Sequence, residues 1–102
     1  MYTFDLAKLA LRLEAVDILH PDILFAGGLY EAQKICDLAA SNGLPVAFHN
    51  NSTALGFLAT AHLGAAFANT IALEYHFYDA EWSKNWIKRV GGMPLIEDGF
   101  IE

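Results

Sequence analysis

The sequence predicts an α/β fold with parallel strands. Three stretches carry apolar residues at helical spacing, and each runs into a short apolar segment of strand character, giving the order α-β-α-β-α-β. Strands joined by single helices must run parallel, and a parallel sheet needs both of its faces covered. At 102 residues and 55% apolar content, against 18% charged, the chain has core enough for one folded unit or a piece of one.

The first helix is expected from Phe4 to Glu14, where Leu6, Leu9, Ala10 and Leu13 form an apolar stripe opposite Lys8, Arg12 and Glu14. It leads into a strand over Ala15 to Leu19. Gly27-Gly28 then makes a turn, and Leu29, Ala32, Ile35, Cys36 and Ala39 mark the inner face of a second helix that Asn42-Gly43 closes. Leu44 to Phe48, opened by Pro45, is a short buried strand. Ser52 or Thr53 caps a third helix whose stripe is Leu55, Leu58, Ala59, His62, Leu63 and Ala66. Ile71-Ala72-Leu73 is the third strand. Residues 76–102 leave this pattern, being aromatic and loop-like with turns at Gly91-Gly92 and Asp98-Gly99.

Charge and composition narrow the function. A formal net charge of −6, with six scattered Lys and Arg residues, leaves no basic face for nucleic acid or for an anionic membrane. The sequence has no membrane span and no signal peptide pattern, and its single cysteine, Cys36, fits a reducing compartment, so the cytoplasm is the expected location.

In parallel α/β sheets, chemistry gathers where the strands end, because the loops there converge. Asp22 follows the first strand, His49 ends the second and Glu74 ends the third. Adjacent parallel strands lie about 4.8 Å apart, so Asp22 can reach His49. A carboxylate bound to one imidazole nitrogen fixes the tautomer and raises the basicity of the other, as a general base requires. The alternative is a structural pair that satisfies two buried polar groups.

The stretches Val16 to Asp22 with Gly27-Gly28, Gly43 to Asn50, Leu73 to Phe77 and Pro94 to Gly99 together resemble the C-terminal half of the barrel in the enolase superfamily, in the mandelate racemase and muconate lactonizing enzyme branch that includes sugar-acid dehydratases. The resemblance implies strands six to eight of a (β/α)8-type TIM barrel over residues 1–75, and a tail over 76–102 that returns toward a capping domain. It implies that His49 is the base removing a proton α to a carboxylate, that Asp22 orients it, and that Glu74 hydrogen-bonds or donates a proton beside the enediolate. It also implies a Mg²⁺ ion, a small carboxylate such as an acid sugar as substrate, and a homo-oligomeric parent. The family's metal ligands and its lysine base would precede Met1, so the chain is expected to be a fragment with no metal ligands of its own. Asp17, Glu31 and Asp37 are not placed to replace them. The reactions implied are dehydration, or racemisation, epimerisation or cycloisomerisation; a noncatalytic piece, or a barrel half that works only by association, is the reading from another class.

The remaining polar residues carry weaker expectations. His20, Asn50 and His76 are candidate substrate contacts, with local hydrogen bonding or helix capping as the alternative. His62 is expected to be a satisfied core histidine and Cys36 a small buried hydrophobe. Tyr78, Trp82 and Trp86 are expected to pack. Gly27-Gly28 lacks the spacing of a phosphate-binding fingerprint.

Overall fold

A computed structural model of the chain describes residues 3–51, 53–75 and 99–101. His76, Tyr78, Trp82, Trp86, Gly91-Gly92, Asp98 and Ser52 lie outside the described residues.

Five elements follow in order: α1 (Phe4–Arg12), α2 (Leu29–Ser41), β1 (Val46–Phe48), α3 (Ala54–Ala65) and β2 (Thr70–Leu73). Thr3 caps α1 by accepting the Leu6 amide at 3.2 Å, and Thr53 caps α3 by accepting the Gly56 amide at 3.3 Å. Helix α2 starts after Gly28 and ends at Asn42, with Gly43 at φ +69° providing the left-handed residue that releases the chain. Gly27 and Gly28 both sit at φ +102°, a backbone region closed to side chains, so this turn requires two glycines.

Strands β1 and β2 pair in parallel, with Val46 opposite Thr70 and Phe48 opposite Leu73. On its other side, β1 meets Leu19 in a single parallel bridge. The expected strand over Ala15 to Leu19 is therefore reduced to one residue, and Pro21 keeps the pairing from continuing past it. The Leu19 amide donates to the Pro45 carbonyl and the Ala47 amide donates back to Leu19, as a parallel ladder should begin. The next rung needs an amide hydrogen on residue 21. Proline has none, so only the return bond forms, from the His49 amide to the Pro21 carbonyl at 2.9 Å.

The core lies between α2 and the sheet. Of the stripe expected of the second helix, Ala32, Ile35, Cys36 and Ala39 are buried against Leu19, Val46 and Phe48, while Leu29, at the helix start, is exposed. The other two helices depart from expectation. Helix α1 buries Ala7 and packs Phe4 on the core, while Leu6, Leu9 and Leu13 are exposed. Helix α3 turns Phe57 and Thr60 inward, leaving Leu55, Ala66 and His62 exposed, so His62 is a surface residue and not a core histidine. Helix α3 is apolar on nearly every side, and such a helix does not encode which face is covered. The Thr60 hydroxyl donates to the Gly56 carbonyl at 2.8 Å, which makes its burial inexpensive. No helix among the described residues is long and apolar enough to cross a membrane.

Candidate active site

The parallel order Leu19, β1, β2 brings Asp22, His49 and Glu74 to one end of three neighbouring segments. Asp22 is almost fully buried, and both of its oxygens are used. Oδ1 accepts the amides of Leu24 and Phe25, at 2.8 and 3.3 Å, and so caps the turn that follows the first segment. Oδ2 accepts Nδ1–H of His49 at 2.7 Å. One side chain thus caps the turn and orients the histidine. Three donors hold one carboxylate, and that carboxylate fixes the imidazole in the tautomer that leaves Nε2 to the mouth.

Glu74 closes the opposite side. Its Oε2 accepts the Asn50 amide at 3.2 Å and stands 3.7 Å from His49 Nε2. Asn50 is buried, and this contact is made through its backbone amide, which no reading of side-chain type would find. Tyr75, the next residue, sets its ring against Phe57 of α3 at 5.1 Å between centroids and so anchors the end of β2.

His20 is half exposed and belongs to the same mouth. Its Nδ1 donates to the Ala47 carbonyl at 2.7 Å, and its Nε2 lies 3.9 Å from the same Glu74 Oε2. The His20 and His49 rings meet edge to face, 5.4 Å apart. His20 is thus both a local hydrogen-bond partner and a mouth residue.

Among the described residues, no group of three His, Cys, Asp or Glu side chains is placed to hold a metal ion. Asp17 and Asp37 are exposed, and Glu31 pairs with Lys34 on α2. Burial, reinforced by the Asp37 carboxylate, pushes the Cys36 thiol up to about 12. It stays protonated at neutral pH and is unsuited to nucleophilic attack or metal ligation.

Sequence and structure comparisons place the chain that carries this arrangement in a family. Residues 1–102 match the family described as enolase C-terminal domain-like. This chain belongs to that family. Over 92 residues it is 44% identical to the D-xylonate dehydratase of Haloferax volcanii, which covers 90% of this chain and 22% of that enzyme. The crystal structure of a mandelate racemase/muconate lactonizing enzyme-like protein from Rubrobacter xylanophilus superposes with a TM-score of 0.85 at 38% identity, over 94% of this chain and 24% of that one. An enolase from Pseudomonas fluorescens, crystallised with magnesium, potassium and tartrate, gives 0.64 at 28% identity over 74% of this chain and 18% of its own. The parallel segments described above are the C-terminal part of the enolase-superfamily barrel, and this chain spans about a fifth to a quarter of the length of these relatives.

Proposed function

We propose that this chain carries the proton-abstracting side of an acid-sugar dehydratase site. The observation that bears most weight is the His49 Nδ1–H bond to buried Asp22, which leaves Nε2 as the basic atom at the mouth. His49 takes the proton α to the substrate carboxylate, and Asp22 holds the ring through the transfer and balances the imidazolium that results. Glu74, bound to the Asn50 amide, lies beside the atoms that become the enediolate. The 44% identical D-xylonate dehydratase favours dehydration of a sugar acid over racemisation or cycloisomerisation, for which the first proton transfer is the same.

The dehydratase reading calls for Mg²⁺, which neutralises charge developing on the substrate carboxylate when bound. The magnesium and tartrate held by the Pseudomonas fluorescens enolase support such a need in the family. The described residues of this chain do not fit the ion. Its ligands are therefore assigned to polypeptide outside them. Residues 1–75 act in this reading as the barrel portion, and residues 76–102 as a tail directed toward a capping domain.

The test is His49→Asn in the enzyme containing this chain, supplied with Mg²⁺ and a panel of sugar acids in D₂O. Exchange of the α-proton should fall by about 10²–10⁴-fold while the circular dichroism spectrum stays unchanged. Exchange at the original rate would assign the base elsewhere, and inverted substrate in place of keto acid would identify a racemase or epimerase.

A further inference from the structure

Dehydration needs more than a base. The β-hydroxyl must leave as water, and a proton has to reach it. The reading that His49 is the base assigns no such donor, and the inference here rests on that reading.

We propose that His20 is the acid of the same reaction: its Nε2 protonates the departing β-hydroxyl, and Glu74 returns to it the proton that His49 removed from the α-carbon. The geometry begins with the backbone. Ala47 O is the acceptor that a regular parallel ladder would give to the amide of residue 21, and Pro21 leaves it without that donor. The His20 imidazole takes the place, 2.7 Å away through Nδ1–H. A carbonyl can only accept, so the neutral ring carries its hydrogen on Nδ1 and turns Nε2 to the mouth. Asp22 imposes the same tautomer on His49. Two imidazoles, 5.4 Å apart, thus present the same atom to one carboxylate oxygen, at 3.7 and 3.9 Å from Glu74 Oε2. These gaps exceed a hydrogen bond, and one bridging water or a small side-chain rotation closes them. Asp22 and Glu74 are the two carboxylates in ion-pair range of these rings among the described residues.

The proton account balances. His49 Nε2 takes the α-proton as the C–H bond breaks and leaves its electron pair in the enediolate; that pair then forms the new carbon–carbon double bond as the β-carbon–oxygen bond breaks. His20 enters the step as the imidazolium, with hydrogens on both Nδ1 and Nε2; the hydroxide takes the Nε2 proton and departs as water, leaving the neutral Nδ1–H ring. His49 then passes its proton through Glu74 Oε2 to His20, so both rings regain their starting state with no net proton taken from solvent. The α-hydrogen and β-oxygen sit on adjacent carbons, within the span of the two rings.

The experiment compares α-proton exchange, water loss and fluoride release in the enzyme containing this chain and in its His20→Gln variant. The variant should keep α-proton exchange, lose keto-acid formation by about 100-fold or more, and release fluoride from a 3-deoxy-3-fluoro analogue at the unsubstituted rate, because fluoride leaves without a proton. Equal loss of exchange and water loss, no loss of either, or slowed fluoride release would overturn the proposal. Keto-acid formation at the original rate in His49→Asn would overturn the base reading, and this proposal with it. Nitrogen-15 NMR of the imidazoles in the chain itself gives a readout independent of turnover. Neutral His20 should carry its hydrogen on Nδ1, and a hydrogen on Nε2 would refute the assignment.

Discussion

Asp22 is one side chain with two separable tasks, and substitution can divide them. Asparagine keeps an oxygen able to cap the turn at Leu24 and Phe25, but its amide nitrogen then faces His49 Nδ1–H, donor against donor. The ring must give up that contact or change tautomer, and either moves the base. Asp22→Asn should therefore leave urea stability nearly unchanged while lowering α-proton exchange by at least 10²-fold. Asp22→Ala removes the cap as well and should cost about 1 kcal/mol of stability, as the loss of a capping side chain does. Equal stability loss in the two variants, measured by urea titration, would mean that the cap is not an independent function. The pairing of Asp22 with His49 was legible in the sequence because both follow parallel segments at matching height. The turn cap at Leu24 and Phe25 was not, since residue type alone does not reveal that a carboxylate with two oxygens serves two tasks.

At the scale of elements, helix α2 was readable except at its first residue, because polar and apolar residues alternate around it with the helical period, and the four residues it buries belong to the expected stripe while Leu29 is exposed. Helix α3 and the first strand were not, for different reasons. Around α3 the apolar character is nearly uniform, so tertiary contact with β2 and α2 chooses the face. In the first strand the residues Val16 to Leu19 have strand character, yet only Leu19 pairs, and the missing amide of Pro21 stops the ladder from continuing past it. Pro21→Ala tests this directly. The new amide would compete with His20 for the Ala47 carbonyl, extending the ladder while releasing the ring. Nitrogen-15 NMR should show His20 no longer confined to the Nδ1–H form. The variant should lose about 1–2 kcal/mol, because Pro21 is fully buried and its lost ring atoms and the freer unfolded chain together outweigh the added hydrogen bond. An unchanged His20 tautomer with an alanine amide already bonded to Ala47 would refute the competition.

At the scale of the whole molecule, the described residues leave much apolar surface uncovered. Leu9, Leu13, Leu24, Phe25, Leu55 and Ile71 are each more than half exposed, on α1, on the turn after the first segment, on α3 and on β2. Patches of that extent favour association, while the net charge of −6 opposes it through repulsion that salt screens within about 10 Å at 0.1 M. The 102-residue chain alone should therefore self-associate, and more at 0.5 M NaCl than at 20 mM, in sedimentation velocity measurements. A monodisperse monomer at both salt concentrations would show that these surfaces are covered. Metal provides the complementary test. An ion that binds the folded chain raises its stability with concentration, so a site built within these 102 residues would raise the melting temperature in Mg²⁺ beyond the effect of matched ionic strength. The reading that the metal ligands lie on other polypeptide expects no such rise, and no Mg²⁺-dependent turnover of a sugar acid by this chain alone. A Mg²⁺-specific rise would place the ligands inside this chain and overturn their assignment to other polypeptide.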